Sequence, residues 1–479
     1  MPRSPLLSTQ RSTLRSRLSA STCLAGCLAA GVATCLATGY AVAAPTAGPE
    51  AARDLSRATD AARVSASASG VSFDPARFAA LAPGASLPAE FDALGGRGLR
   101  MVARTSVADA EHFVFVHPLQ PAREASLLLR EGRLVGSIAL GGDLRTVVHS
   151  ARAGFSRVEV ADAARELPCG NTDELRAPTS EGGVSGSAAA GCDDGSRVDV
   201  LVAYTDAAVA QAGGETQLGD AILFAVADSN AIYAASGIGL TMRLAGTMRV
   251  SGYLENASMT NDIYALQDPA DGLLDQVLVE RDRIGADLVS LLRADGGGAC
   301  GVGFLVGGSI ADAAYGVSVT ALGCVTNKTF THELGHNMGC CHAPGDGGGC
   351  TTGGVFLYST GHRFTGVGGA QYRTVMAYAP GTRIGRFSSP LVLFDGTPTG
   401  IADERDNARS INETRFNVTN FRCTPCPGDF DGNREINGAD LAFLLGNWGA
   451  SSASADIDGD GSSDAADLAI LLGGWGACR

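Results

Sequence analysis

The chemistry of this chain concentrates in one short run, His332-Glu333-Leu334-Gly335-His336-Asn337-Met338-Gly339-Cys340-Cys341-His342. Positions four apart on a helix lie nearly above one another, so His332 and His336 can turn two imidazole nitrogens toward one ion. Glu333 follows the first of them. It lies to one side, where it can reach a water on that ion without taking a coordination position. Gly339 can adopt the left-handed turn that ends a helix, and such a turn brings His342 back as a third ligand. Three protein ligands with a fourth position left to solvent is the arrangement of a catalytic zinc rather than a closed structural one. The expected chemistry is amide hydrolysis. One Zn²⁺ polarises a carbonyl and acidifies water, while Glu333 takes the water's proton and passes it to the leaving amine.

A second constellation lies near the C-terminus. Asp429, Asp431, Asn433, Glu435, Asn437 and Asp440 fall at positions 1, 3, 5, 7, 9 and 12 of a loop, and Asp456, Asp458, Asp460, Ser462, Asp464 and Asp467 repeat that spacing. Ca²⁺ takes six to eight hard oxygens, and a loop of this kind wraps them round one ion, so the chain is expected to bind two calcium ions. Glu435 and Ser462 would contribute backbone carbonyls. Arg434 stands where such loops prefer glycine, and position 12 is Asp in both loops instead of Glu. Each loop runs into an apolar segment of helical character. Residues 429–450 match 456–477 at 13 of 22 positions, with Trp448 and Trp475 equivalent.

The elements that must position these groups follow from periodicity. Residues 112–117, 125–129, 133–140 and 145–149 read as strands separated by Glu-Gly and Gly-Gly turns, a small β-rich unit. His112 and His117 would point to opposite faces there, in core and edge roles rather than on a shared metal. Residues 172–196 have no periodic segment and read as a linker. Thereafter strand and helix alternate: strands at 198–204, 240–250 and 287–292, helices at 218–235, 273–284 and 402–421, with Asn407 and Arg415 on exposed turns of the last. Alternation of this kind predicts an α/β layer with a mixed sheet.

Arg3, Arg11, Arg15 and Arg17 open the chain, and no further charge appears until Glu50. With the apolar, small-residue stretch 24–44 and Ala41-Val42-Ala43 as a cleavage signal, residues 1–44 read as a secretory signal peptide and the protein as secreted; Leu24-Ala25-Gly26-Cys27 is a lipid-anchor alternative. No later run is long enough for a transmembrane anchor. Ten of the 13 cysteines lie beyond the signal, an even number that suggests disulfides. The composition, 45% hydrophobic and 18% charged, supports real cores, and the net charge of −14 disfavours nucleic-acid binding. Lysine occurs once, at Lys328, which reads as codon bias.

The His332–His342 pattern resembles the metzincin metallopeptidases. Thr374-Val375-Met376-Ala377-Tyr378 looks like that family's Met-turn, which implies that Met376 lies beneath the zinc and that Tyr378 supports the transition state. Residues 198–421 resemble the reprolysin-like group and the peptidyl-Asp metallopeptidases, through Val198–Thr205, Cys300-Gly301-Val302-Gly303-Phe304, the zinc helix and the Arg405–Asn412 tail. Ala343 departs from the Asp that reprolysins usually carry after the third His. The resemblance implies a metzincin domain over 195–422, with Gly301–Leu305 as the edge strand that holds an extended protein or peptide substrate. It also implies a β-rich propeptide over 45–190. There Leu167-Pro168-Cys169-Gly170 looks like a cysteine switch, whose thiolate would fill the fourth zinc position; a Cys169–Cys192 disulfide is the alternative. Residues 426–479 resemble a type I dockerin, a small α-helical module with two calcium loops, which implies a cohesin-type scaffold as partner. Cys426 and Cys478 could staple its ends. The expected function is a secreted zinc endopeptidase made as a zymogen. The competing readings are a dockerin-borne adhesion protein that binds without cutting and a zinc amidase acting on other amides.

Overall fold

The computed structural model describes residues 69–478, apart from 142, 150–153, 163–168, 170–174, 178–191, 348–349, 351–352, 424, 450–454 and 459. The expected signal at 1–44 and its Cys27 alternative lie outside the described residues, as do Pro168 and Gly170. Among the described residues no helix is long and apolar enough to cross a membrane.

The N-terminal part is one antiparallel sheet. Its strands are β1 (Ser69–Ser72), β2 (Arg100–Val107), β3 (Ala110–His117), β4 (Gln120–Arg130), β5 (Arg133–Leu140), β6 (Asp143–His149) and β7 (Phe155–Asp162), in the order β1-β7-β6-β5-β4-β3-β2. The expected Glu-Gly turn joins β4 to β5: Glu131 and Gly132 both take positive φ, 47° and 77°, as a two-residue hairpin between paired Arg130 and Arg133 requires. Both faces of the sheet are covered. Phe113, Phe115, Leu127 and Ile138 pack with Phe78 of helix α1 (Pro75–Ala79) and with Phe91. Leu128, Val135 and Ala110 face the other way and join the main core. This is why Leu127-Leu128-Leu129 is continuously apolar instead of alternating. His112 is buried on the main-core side and packs against Phe224.

Beyond it, strands β8 (Arg197–Thr205), β9 (Thr241–Val250), β10 (Leu288–Arg293), β11 (Gly301–Gly303) and β12 (Val317–Ala321) form a mixed sheet in the order β11-β12-β10-β8-β9. Only the edge strand β11 runs antiparallel to its neighbour; the other pairs are parallel. Helices α2 (Asp206–Ala212), α3 (Glu215–Ala235), α4 (Met259–Gln267) and α5 (Asp275–Ile284) provide the crossovers. Helix α3 lies between the two sheets, with Phe224, Ala225 and Val226 all buried. Helix α6 (Thr329–Asn337) carries His332 and His336 and is buried at every residue.

Two expectations are corrected. The last helix, α7 (Asn407–Val418), is shorter than 402–421 because Asp406 caps it, its carboxylate accepting the Arg409 N–H at 3.1 Å. Asn407 is not on an exposed turn; it is fully buried and gives its amide to the Cys341 carbonyl at 3.4 Å. The 172–196 segment is not a free linker throughout. Leu175 and Ala177 are buried, and they exchange backbone hydrogen bonds with Leu305 at 2.9 and 3.2 Å. Three residues paired on an edge need no periodicity to do so.

The C-terminal part holds helices α8 (Gly438–Gly446) and α9 (Ala465–Gly473) around Ile436, Leu444 and Leu471. Among the described residues four disulfides are formed: Cys192–Cys423, Cys300–Cys324, Cys341–Cys350 and Cys426–Cys478. The Cys169–Cys192 alternative is thereby overturned. Cys169 and Cys340 are free and buried.

Candidate active site

Helix α6 starts abruptly. Lys328 takes a left-handed conformation with φ 74°, and the Asn327 side chain accepts the Thr329 N–H at 3.1 Å. The helix ends at Asn337, and the turn beyond it is made at Gly339, with φ 84°, where a Cβ would lie 2.7 Å from Val355 Cγ2. After this turn the Cys341 N–H bonds to the Ser359 carbonyl at 2.8 Å and the His342 N–H to the Cys350 carbonyl at 3.1 Å. The third histidine is therefore held by backbone bonds and by the Cys341–Cys350 disulfide.

The three imidazoles converge. The Nε2 atoms of His332 and His336 lie 3.2 and 3.1 Å from His342 Nε2. Nδ1 of His332 bonds to the Val375 carbonyl at 2.9 Å and Nδ1 of His336 to the Cys340 carbonyl at 2.8 Å. A carbonyl only accepts, so in both rings the proton sits on Nδ1 and Nε2 presents a lone pair. Lone pairs aimed at one another are repulsive unless a cation lies between them. Tetrahedral nitrogens at the zinc–imidazole bond length sit roughly 3.3 Å apart, close to the spacing found. Burial, followed by the neighbouring rings, holds His332 and His336 well below the usual imidazole range, so both stay neutral as ligands require. The donor set fits zinc.

Around it stand the other expected residues. Glu333 is fully buried and next to the centre; burial pushes its carboxyl up to about 8, with the Cys169 thiol and the Arg383 charge pulling it back. The Tyr378 hydroxyl lies 3.1 Å from His342 Nε2, and burial raises its pKa. Met376 packs under α6: a Cβ on Gly335 would meet its Sδ at 2.7 Å. Cys169 Sγ donates to Glu333 Oε2 at 3.1 Å and lies 3.8 Å from His336 Nε2. The Cys169 N–H bonds to the Tyr378 hydroxyl at 3.1 Å. Together Cys169, His332, His336 and His342 place their ligand atoms within 4.8 Å of one another.

Periodicity and motif reading miss the residues that hold this arrangement. Asp346 Oδ2 accepts the Ala343 N–H at 3.1 Å and the Tyr378 N–H at 2.9 Å, while Oδ1 pairs with Arg363. Arg363 also donates to the carbonyls of Tyr378 and Pro344, at 3.3 and 3.1 Å. Where Ala343 lacks a carboxylate, Asp346 supplies one from three residues on. Asn337 donates to the carbonyls of Phe304 and Val317, tying α6 to the sheet edge. Nothing local in Pro344-Gly345-Asp346-Gly347 marks the first role, since its partner lies 32 residues away.

In the acidic loops, Asp429, Asp431 and Asp440 gather within 4.8 Å, as do Asp456, Asp458 and Asp460; Asp467 is not in the second group. Asp440 also accepts the Phe430 and Asn437 N–H groups at 2.7 and 2.9 Å, and Asp467 accepts those of Ile457 and Asp464 at 2.5 and 2.7 Å. Asn437 and Asp464 cap α8 and α9. Asn433 accepts the Glu435 N–H at 2.8 Å, and Ser462 donates to Asp460 at 3.0 Å. Arg434 adopts φ 67°, the conformation its equivalent Gly461 takes at 95°.

Residues 194–388 match the sequence profile of metallo-peptidase family M12, of reprolysin type. Two curated relatives from Stenotrophomonas maltophilia, both named peptidyl-Asp metalloendopeptidase, are 31% identical over 54% of this chain and 29% over 62%, covering 58% and 70% of their own lengths. A third of that name, from Xanthomonas campestris pv. campestris, is 31% identical over 47% of this chain and 52% of its own. The matches thus span between about half and seven-tenths of those relatives. The similarity therefore lies in residues 194–388 and is to metallopeptidases of the M12, reprolysin-like kind.

Proposed function

We propose that the chain is a secreted zinc-dependent endopeptidase, made latent, that cleaves peptide bonds next to aspartate. The observation that carries this reading is the convergence of three Nε2 lone pairs at 3.1–3.2 Å with the Glu333 carboxylate beside them. The aspartate preference rests on the name its relatives share.

When bound, zinc supplies a Lewis acid that polarises the scissile carbonyl and acidifies water. His332, His336 and His342 hold it, oriented by the Val375 and Cys340 carbonyls. Glu333, with its raised pKa, takes a proton from the attacking water at its carboxylate and returns it to the departing amine nitrogen. Tyr378, kept protonated by burial, donates its O–H to the oxygen that gains charge. Edge strand β11 and its continuation to Leu305 offer main-chain pairing to an extended substrate.

In the latent chain Cys169 supplies the fourth ligand. Its freedom from any disulfide and its place among the three imidazoles support this. The region before residue 190 then acts as a propeptide, with Leu175 and Ala177 lying along Leu305. Residues 426–479 serve as a dockerin-like module holding two calcium ions. The repeat leaves Phe443, Leu445 and Trp448, and equivalently Ile470, Leu472 and Trp475, exposed, which supports a cohesin-type scaffold as partner.

The test is casein cleavage after activation. The reading requires activity that a zinc chelator abolishes, that added zinc restores, and that Glu333→Ala lacks. An activated protein that binds zinc and cuts nothing would favour the adhesion reading.

A further inference from the structure

Strand β11 reads Gly301-Val302-Gly303, and its two glycines lie on one face, since residues two apart on a strand point the same way. Neither is among the positive-φ glycines of this chain, so the backbone here would admit any residue. Glycine weakens a strand, which leaves the close approach of another group as the reason for the pair. That group is helix α6. A Cβ on Gly301 would stand 2.4 Å from Glu333 Oε1 and 2.6 Å from both its Cδ and its Cγ. A Cβ on Gly303 would stand 2.7 Å from the Glu333 carbonyl oxygen and 3.4 Å from His336 Cβ. The Glu333 side chain thus lies on the bare backbone of Gly301, and the main chain of α6 on that of Gly303.

Both sides of this contact are fixed. Cys300, next to Gly301, is joined to Cys324, and its carbonyl accepts the Ala321 N–H at 2.9 Å. Gly301 pairs with Thr320 and Gly303 with Ser318 of β12. On the helix, Asn337 holds the Phe304 and Val317 carbonyls, and the His336 carbonyl accepts the Val306 N–H at 3.2 Å. The contact also sets which carboxylate oxygen faces the reaction. Oε2 accepts the Cys169 thiol at 3.1 Å, and that thiol stands among the three histidines, so Oε2 is the oxygen turned toward them. Oε1 is buried against Gly301 with no hydrogen-bond partner among the described residues. Contact with the strand, and not a hydrogen bond, holds that end of the carboxylate.

We infer that Gly301 is a positioning residue for the hydrolysis: the space left by its missing side chain seats the Glu333 carboxylate and aims Oε2 at the attacking water, whereas Gly303 seats the helix itself. The inference rests on the endopeptidase reading above and adds to it the residue that aims the base. The two glycines separate by what a Cβ would displace. At Gly301 it meets the far end of a side chain, which can swing by about 1 Å to an ordinary contact distance while the fold stays. At Gly303 it meets backbone, so α6 must lift and take His336 with it. A Cβ at 301 points at α6, roughly perpendicular to the sheet, so the main-chain edge offered to a substrate is unchanged.

The experiment uses the full-length protein activated by limited proteolysis, with a peptide built on a bond that the enzyme cuts in casein. In Gly301→Ala, kcat should fall about 10²-fold, the cost of misplacing a reacting group by about 1 Å, with KM changed less than about threefold. This variant should keep its zinc by metal analysis and a thermal midpoint within about 2 °C of wild type. Gly303→Ala should instead lower the midpoint by more than about 4 °C and give up zinc to a chelator about tenfold faster. A cycle separates aim from general strain: in a Glu333→Asp background, where the carboxylate is already withdrawn, Gly301→Ala should cost less than about threefold more in kcat. Gly301→Ala with kcat within about threefold of an active wild type overturns the inference and leaves the endopeptidase reading intact. So does a Gly301→Ala protein that loses zinc and stability as Gly303→Ala does, or one that repeats its full loss in the Asp background. Wild-type protein that binds zinc and cuts nothing overturns the endopeptidase reading, and with it the role given to Gly301.

Discussion

Asp346 is the residue whose loss should reveal how the site is held. Its carboxylate is 2% exposed and accepts two buried N–H groups, from Ala343 beside the third ligand and from Tyr378 across the cleft. Asp346→Ala strips both donors of their partner and takes the counter-charge from Arg363. Orphaned buried donors cost about 1–3 kcal/mol each. Arg363 keeps two carbonyl acceptors and is 26% exposed, so it adds little to that. The expected loss of stability is roughly 2–6 kcal/mol, read as a lower urea midpoint with unchanged slope. Activity should fall further than folding explains. A Tyr378 ring released from its anchor no longer holds its hydroxyl against His342, and kcat should drop about ten- to hundred-fold with KM nearly constant. Zinc should also leave faster to a chelator, because Ala343 follows His342 directly. The decisive measurement is a double-mutant cycle with Tyr378→Phe. If Asp346 acts through Tyr378, its removal in the Phe background costs much less, with a coupling of at least about 0.5 kcal/mol. Additive losses, or an Asp346→Ala enzyme with wild-type kcat, would refute the reasoning.

Other outcomes follow from the same geometry. Glu333→Gln should keep stoichiometric zinc by metal analysis while kcat falls about 10²- to 10⁴-fold; retained turnover would remove Glu333 from the proton path. Cys169→Ala should produce a chain that cleaves casein without processing, and the wild-type thiol should react with a maleimide only after chelation; a latent Cys169→Ala chain would show that the thiol is not what holds activity back. Burial pushes His112 down to about 4, so the folded chain keeps it neutral at a pH where an unfolded chain would charge it. Its contribution is complete above the unfolded value near 6.5 and is lost as pH falls toward 4, on the order of 3 kcal/mol in all. His112→Gln should flatten the stability profile of the zymogen across that window, and an unaltered profile would count against it. Calcium at about a hundred times its dissociation constant should stabilise residues 426–478 by about 2.7 kcal/mol, followed through Trp448 and Trp475 fluorescence and abolished by Asp440→Ala with Asp467→Ala; no calcium response would remove the two-ion reading.

The sequence by itself marked the candidate ligands and their neighbours. His332, Glu333, His336, Gly339 and His342 act through helix geometry and one tight turn, both local, and local geometry is legible from spacing. The parallel strands were legible for the same reason, as apolar runs bounded by turns. Helix α7 was overextended because its start depends on a single cap, Asp406, among residues that are otherwise acceptable in a helix. The tertiary structure alone decided which cysteines pair, leaving Cys169 free to face the three imidazoles by joining Cys192 to Cys423, 231 residues away. It alone brought Asp346 to Tyr378, and Glu124 and Asp228 to Lys328. Such pairings carry no period or motif. A carboxylate reads the same in sequence whether it faces water or a buried ammonium, and only the fold sets the distance and the dielectric that separate the two.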